Sequence, residues 1–158
     1  MGATREAVFS ALLTKVAASA GFVTSGRRIE LVPGAPTPQV ATPVAQPAIF
    51  LFEDNETTKQ SNYGPTVIRT WRVQLWVWCQ IPAGPTLGVP DTTIAGATIL
   101  NPLIDAIEVA LAGGPMGPET LGGLVRRVWI EGETVKVPGD LNPDGQCVAM
   151  IPVSIMVP

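Results

Sequence analysis

Apolar residues near the start of the chain recur at the three- and four-residue spacing of an amphipathic helix. The face they form consists of Val8, Phe9, Leu12, Leu13 and Val16. Thr4 precedes this face as an N-cap, and Glu6 lies in the first turn near the positive end of the helix dipole. Gly21 then ends the helix. The pattern predicts one helix between Thr4 and Gly21.

The clearest strand signal is the period-two alternation over residues 67–80. One face is apolar, and the other sets two tryptophans, Trp76 and Trp78, between polar residues such as Arg72 and Gln74. A face of this second kind is typical of contact with another layer of the same chain, of a subunit interface, or of a carbohydrate-stacking platform. The sequence leaves these alternatives open, and we take Trp76 and Trp78 as interface candidates.

Shorter apolar runs predict the remaining strands. Residues 48–52 are expected to form a core strand that opens into a polar loop running through Gly64 and Pro65. A short extended piece is expected at residues 29–32. Two final strands are predicted at residues 125–133 and 147–157, paired antiparallel.

A second helix is predicted in the middle of the chain. Asn101 is a suitable N-cap, and Pro102 suits the first helical position, where its missing amide proton costs nothing. Residues 94–100 could instead add helical turns ahead of that cap, and the sequence does not decide between the two. Gly113 and Gly114 end the element.

Two helices separated by runs of strands, without regular alternation, favour an α+β fold. We expect a single domain over residues 1–158, with one twisted, mostly antiparallel sheet of about four to five strands and both helices packed on it. Residues 33–47 hold five prolines and no charged residue. This segment is predicted to be an extended loop, or an arm that lies on a neighbouring subunit.

Composition narrows the functional classes. The chain is 46% hydrophobic and only 15% charged, which favours a surface that packs against partners. Its net charge of −3 is scattered and gives no broad attraction for nucleic-acid phosphates. No apolar run approaches the roughly 18 residues of a membrane-spanning helix, and Met1 to Arg5 show no secretory signal. We therefore expect no membrane partner, and folding in a cytoplasm.

Candidate chemistry is sparse. Histidine is absent, which removes the usual general base at neutral pH and the commonest metal ligand. Cys79 and Cys147 stand among apolar residues and are expected to be buried free thiols. Glu131 and Glu133 would lie on one strand face about 7 Å apart, but no other polar group supports them. We predict a non-enzyme with no cofactor, metal or catalytic residue.

Several segments, taken in order, resemble the tail-terminator proteins of long-tailed bacteriophages, also called minor tail or tail-completion proteins. They are REAVFSALLTKVAASAGFVTSGRRI, PAIFLFE, TWRVQLWVWC, LNPLIDAIEVAL, TLGGLVRRVWIEGE and AMIPVSIMV. The resemblance spans nearly the whole chain, although residues 33–47 and 81–93 form longer loops than the family pattern. It implies a homo-hexameric ring at the head-proximal end of the tail tube, which stops tube growth and offers a surface for the head.

The resemblance also implies partners: the tail tube protein, a head-tail connector or neck protein, and DNA that passes through the ring without sequence-specific binding. The location implied is the virion, after assembly in the bacterial host cytoplasm. We predict a tube-facing loop at residues 53–63 and a second contact at residues 133–146. The interface candidates, besides Trp76 and Trp78, are Pro36, Pro38, Pro43, Glu53, Asp54, Asn55, Glu56, Lys59, Tyr63, Glu133, Lys136, Asp140 and Asp144.

Two alternatives remain at this point. A head-completion or connector protein of the phage neck would share the ring and differ only in its binding partner. A carbohydrate-binding module would instead use Trp71, Trp76 and Trp78 as a stacking platform.

Overall fold

A computed structural model describes residues 2–35, 38–41, 44–60, 62, 64, 66–140 and 144–158. Two helices and six strands make up this part of the chain. In chain order they are α1 (Arg5–Ser19), β1 (Thr24–Gly26), β2 (Ala48–Gln60), β3 (Val67–Gln80), α2 (Gly96–Leu111), β4 (Arg127–Ile130), β5 (Val135–Val137) and β6 (Gln146–Val157).

All six strands belong to one sheet with the order β1-β2-β3-β6-β4, and β5 also pairs with β6. β1 runs parallel to β2, whereas the other pairings are antiparallel. The prediction of an α+β fold is confirmed. The expected strand number was too low, and the sheet is mixed, because the short β1 adds in parallel beside β2.

The predicted antiparallel pair at the end of the chain is confirmed, since Val128 of β4 lies opposite Ile155 of β6. The first member is shorter than predicted and ends at Ile130. The chain then turns and adds β5 to the other half of the same edge, with Lys136 opposite Ala149.

α1 and α2 cover one face of the sheet and enclose the main core. Thr4 caps α1 as predicted, because its Oγ1 accepts a hydrogen bond from the backbone N–H of Ala7 at 3.3 Å. Val8, Leu12 and Val16 have no exposed surface. The sheet contributes the apolar side chains of β3 and β6 to this core, including Leu75 and Ile151.

α2 begins at Gly96, so the alternative with turns ahead of Asn101 is correct and Pro102 lies inside the helix. Ala95 occupies the N-cap position without a side-chain cap. The cap comes from a distant loop, because the Asp140 carboxylate accepts a hydrogen bond from the Gly96 N–H at 2.7 Å. A capping group 44 residues away in sequence cannot be found from local patterns.

The second face of the sheet is half covered by the proline-rich segment of the same chain. Its residues 38–41 lie beside the stretch that precedes the segment, with Leu31 bridged to Val40 and the Ala41 N–H bonded to the Glu30 carbonyl at 2.8 Å. The apolar cluster beneath it comprises Val40, Ala48, Phe50, Trp78 and Val148, with partly buried neighbours that include Ile29, Leu31, Val44, Trp76 and Met150. The described residues of the segment therefore form a second layer on their own sheet.

This layer corrects part of the tryptophan prediction. Trp78 has no exposed surface, so it offers the single chain no contact area for a partner. Trp76 is half-buried, and its indole N–H donates to Gln74 Oε1 at 3.0 Å. Among the proline candidates, Pro38 is half-buried, whereas Pro36 and Pro43 lie outside the described residues.

Cys79 and Cys147 are buried free thiols, as predicted. They lie directly opposite each other on β3 and β6. The hydrogen bond between the two thiols raises the pKa of Cys79, and burial raises it further. The pair belongs to the core on the helical side of the sheet.

Candidate interaction surfaces

Residues 53–60 form the second half of β2, which corrects the prediction of a polar loop there. They pair with the first half of β3 across a register shift between Glu53 and Glu56. All eight residues from Glu53 to Gln60 are exposed, and neither apolar cluster of the described residues includes any of them. A strand without a buried face lacks the alternation that marks a strand in sequence.

Two arginines tie this hairpin to α1. Arg5 contacts Glu56 through two hydrogen bonds of 2.6 and 2.7 Å, and Arg27 bonds both Glu6 and Glu53. The hydrogen bond from Arg5 lowers the pKa of Glu56, and the same bond raises the pKa of Arg5. We call residues 53–60 of β2 and residues 67–73 of β3 the ion-paired hairpin.

The predicted candidates in this region therefore divide into different roles. Glu53 and Glu56 bond to arginines of the same chain. Asp54 and Asn55 lie at the register shift and are exposed. Lys59 is exposed on the second face of the sheet, away from the helices. Tyr63 lies outside the described residues.

The second face of the sheet stays open where the proline-rich layer stops. A shallow depression of about 190 Å³ lies there and crosses four strands. We call this surface the open sheet patch, and its residues are Thr57, Lys59, Ile68, Thr70, Arg72, Trp129, Glu131 and Met156. Ile68, Trp129 and Met156 are half-buried, so each keeps part of its apolar surface in contact with solvent.

Charged groups surround the apolar centre of the open sheet patch. Glu131 accepts a hydrogen bond from Ser154 Oγ at 2.6 Å, and its carboxylate lies 3.8 Å from the Arg72 guanidinium. The guanidinium of Arg127 lies 5.3 Å above the Trp129 ring, within the range of a cation–π contact. With Lys59, the patch and its border carry three cations and one carboxylate.

Sequence reasoning missed Trp129. The available signal was its place between Val128 and Ile130, because period-two alternation puts the tryptophan on the opposite face from these two apolar residues. A tryptophan opposite a core-facing valine on an edge strand is a fair marker of a sheet face that meets another surface.

In the second predicted contact, residues 133–146, three of the described candidate residues form hydrogen bonds within their own chain. Lys136 Nζ donates to Asn101 Oδ1 at 3.1 Å, and Asp140 caps α2. Asp144 accepts hydrogen bonds from the Gln146 N–H at 3.2 Å and, through its backbone carbonyl, from Gln80 Nε2 at 3.0 Å. Glu133 is exposed in the turn between β4 and β5.

Both members of the predicted carboxylate pair lie past Ile130, the last residue of β4. The strand therefore does not hold Glu131 and Glu133 on a common face, and that expectation was wrong. In the part of the chain that the structure describes, no group of three or more potential ligands is placed to hold a metal ion. Within the same part, neither helix is long and apolar enough to cross a membrane.

α2 presents a further surface to solvent. Asp105, Glu108 and Val109 lie on its outer face, and Val109 is 75% exposed. Asp105 and Glu108 are the only charged residues of this helix. We call this surface the acidic helix face.

A groove of about 620 Å³ separates the C-terminal end of α2 from β4. Glu108 lines the groove on the helix side, and Arg127 and Trp129 line it on the strand side. The edge of the sheet at β4 therefore divides the acidic helix face from the open sheet patch.

Comparison with models of known protein families finds no match to the chain. No curated protein shows significant sequence similarity to it.

Proposed function

We propose that this chain is a structural subunit that assembles into a ring at the head-proximal end of a long phage tail, where it ends tube growth and offers the head a joining surface. The observation that carries the proposal is the open sheet patch. Half of the second sheet face has its own apolar layer, whereas the other half leaves Ile68, Trp129 and Met156 partly in solvent. Such a surface fits a subunit whose partly exposed apolar side chains become buried when it contacts another chain.

The ion-paired hairpin adds a second kind of surface. Its β2 strand is exposed from Glu53 to Gln60, and arginine–carboxylate contacts fix it to α1. A rigid projection loses little conformational entropy on docking. In a ring on a tube end, a projection of this kind suits contact with the tube, and Asp54 and Asn55 are its free-standing polar candidates.

The scattered charge suits a ring whose lumen lets DNA pass without holding it. Two of the three tryptophans proposed for a carbohydrate-stacking platform are buried. Trp78 is fully buried and Trp71 is 5% exposed, packed edge-to-face on Phe9 at 5.7 Å. Of the three tryptophans assigned to that platform, Trp76 alone keeps appreciable exposure.

The test is to mix the purified protein with isolated phage tails that have not joined heads, and to image them by negative-stain electron microscopy. We expect a ring on the head-proximal end, together with arrested tube growth. Binding only to heads would move the protein to the neck. Binding to neither tails nor heads would overturn the proposal.

A further inference from the structure

We propose that the open sheet patch of one copy of this chain binds the acidic helix face of a second copy. The inference rests on the proposed ring-forming function, and it names the two surfaces that meet in the ring. Its basis is that the open sheet patch and the acidic helix face are both exposed, differ in the sign of their charge, and lie on the two sides of one sheet.

The open sheet patch is apolar at its centre and cationic around it. Lys59, Arg72 and Arg127 outnumber the single carboxylate of Glu131, which leaves a net charge of two positive units. A half-buried tryptophan with cationic side chains beside it fits an interface core with a charged rim.

The acidic helix face has the complementary composition. It carries two carboxylates, Asp105 and Glu108, and a largely exposed valine, Val109. Lys136 lies at its border, bonded to Asn101, and leaves a net charge of one negative unit. Opposite charges on two surfaces steer their encounter and fix their orientation.

The placement of the two surfaces decides the symmetry. α2 packs on the face of the sheet that carries Val73 and Leu75, whereas Arg72 and Thr70 point to the other face. A contact between patch and helix is therefore head-to-tail, and it leaves the helix face of the first copy and the patch of the second copy free. Contacts of this type close into a ring when the rotation between copies allows it, and otherwise extend as a filament.

The experiment reverses the charge of each surface separately. The patch variant is Lys59→Glu with Arg72→Glu, and the helix variant is Asp105→Lys with Glu108→Lys. We expect each variant alone to reduce the fraction of capped tails about tenfold at equal protein concentration, because like charges then face each other in every contact.

An equimolar mixture of the two variants is the decisive sample. In a mixed ring, the acidic patch of one variant meets the basic helix of the other, and every contact again joins opposite charges. We therefore expect the mixture to recover capping to within about threefold of the wild type. Pairing of like surfaces across a twofold axis would make the helix variant alone harmless, and that result would overturn the inference.

Matched controls change the net charge by the same amount elsewhere on the exposed surface. Glu30→Lys with Ser10→Lys and Thr86→Lys serves the helix variant, and Arg28→Glu with Arg126→Glu serves the patch variant. Both controls are expected to cap tails like the wild type. Thermal unfolding of every variant separates lost docking from lost folding.

Sedimentation velocity at low salt provides a second readout that needs no tails. If wild type caps tails and both reversed variants cap equally well, the inference is wrong and the proposed function stands. If wild type fails to cap but associates with itself, and the mixture restores association that each variant lost, the inference stands and the proposed function is wrong. If wild type does neither, both are overturned.

Discussion

The carboxylate of Asp140 accepts a 2.7 Å hydrogen bond from the backbone N–H of Gly96, the first residue of α2. Replacing Asp140 by alanine leaves this N–H without its acceptor, and we expect the free energy of unfolding to fall by about 1 kcal/mol. Urea unfolding followed by circular dichroism measures the change. Asp140→Asn retains a capping oxygen and should lose less than half as much; equal losses in the two variants would contradict the capping role.

Gly96 should tolerate no larger residue, although it lies in a helix. Alanine normally stabilises a helix relative to glycine by up to about 1 kcal/mol. Here a Cβ would lie 1.7 Å from the Pro138 carbonyl oxygen and 2.7 Å from Cys147 Sγ. We expect Gly96→Ala to lower the thermal midpoint, whereas Gly114→Ala, where a Cβ meets no atom within 4 Å, should leave it within a degree or two. A neutral Gly96→Ala would show that the loop can move away.

Arg27 joins α1 to β2 by bonding Glu6 and Glu53 together, and its guanidinium stacks over the Phe9 ring at 5.3 Å. Arg27→Lys keeps the charge but removes the planar group that reaches both carboxylates. We expect Arg27→Lys to lose most of the stability that Arg27→Ala loses, about 1 kcal/mol in urea titrations. If the lysine variant matches the wild type, the charge alone supports the hairpin.

Glu119 links the loop after α2 to α1 and predicts a specific pH dependence. Burial raises the pKa of its carboxyl, but hydrogen bonds from Lys15 Nζ and from the Leu121 N–H outweigh burial and lower the pKa. A depressed folded-state pKa gives stability that is present above the unfolded value of about 4.3 and is lost as the pH falls through the folded value.

We therefore expect the wild type to lose stability between about pH 5 and pH 3, and Glu119→Gln to lose about 1 kcal/mol less over that interval. Lys15→Met should flatten the curve in the same direction, because it removes the partner of the carboxylate. Unfolding curves at several pH values give the comparison. Parallel curves for the three proteins would rule out this carboxylate as a source of acid sensitivity.

Local patterns predicted those elements whose determinants are local. The N-cap Thr4, the buried face of α1 and the whole of β3 follow from residues a few positions apart. The antiparallel pairing of β4 with β6 was also predicted from the sequence.

The misses share a physical cause, which is that a distant part of the chain decides the local structure. β1 is a three-residue strand that exists because β2 lies beside it. The start of α2 depends on Asp140, and the second half of β2 depends on pairing with β3 and not on burial. The covering of Trp78 could not be foreseen either, because the residues that pack over it come from a proline-rich segment with no periodic signal.

The position of β6 affects how the chain acquires its fold. β6 follows every other strand in the chain, yet it pairs with β3, β4 and β5. Until β6 has left the ribosome, β3 has one unpaired edge, and neither β4 nor β5 has its partner. Because such edges invite pairing with other chains, the growing polypeptide is prone to aggregate until β6 emerges.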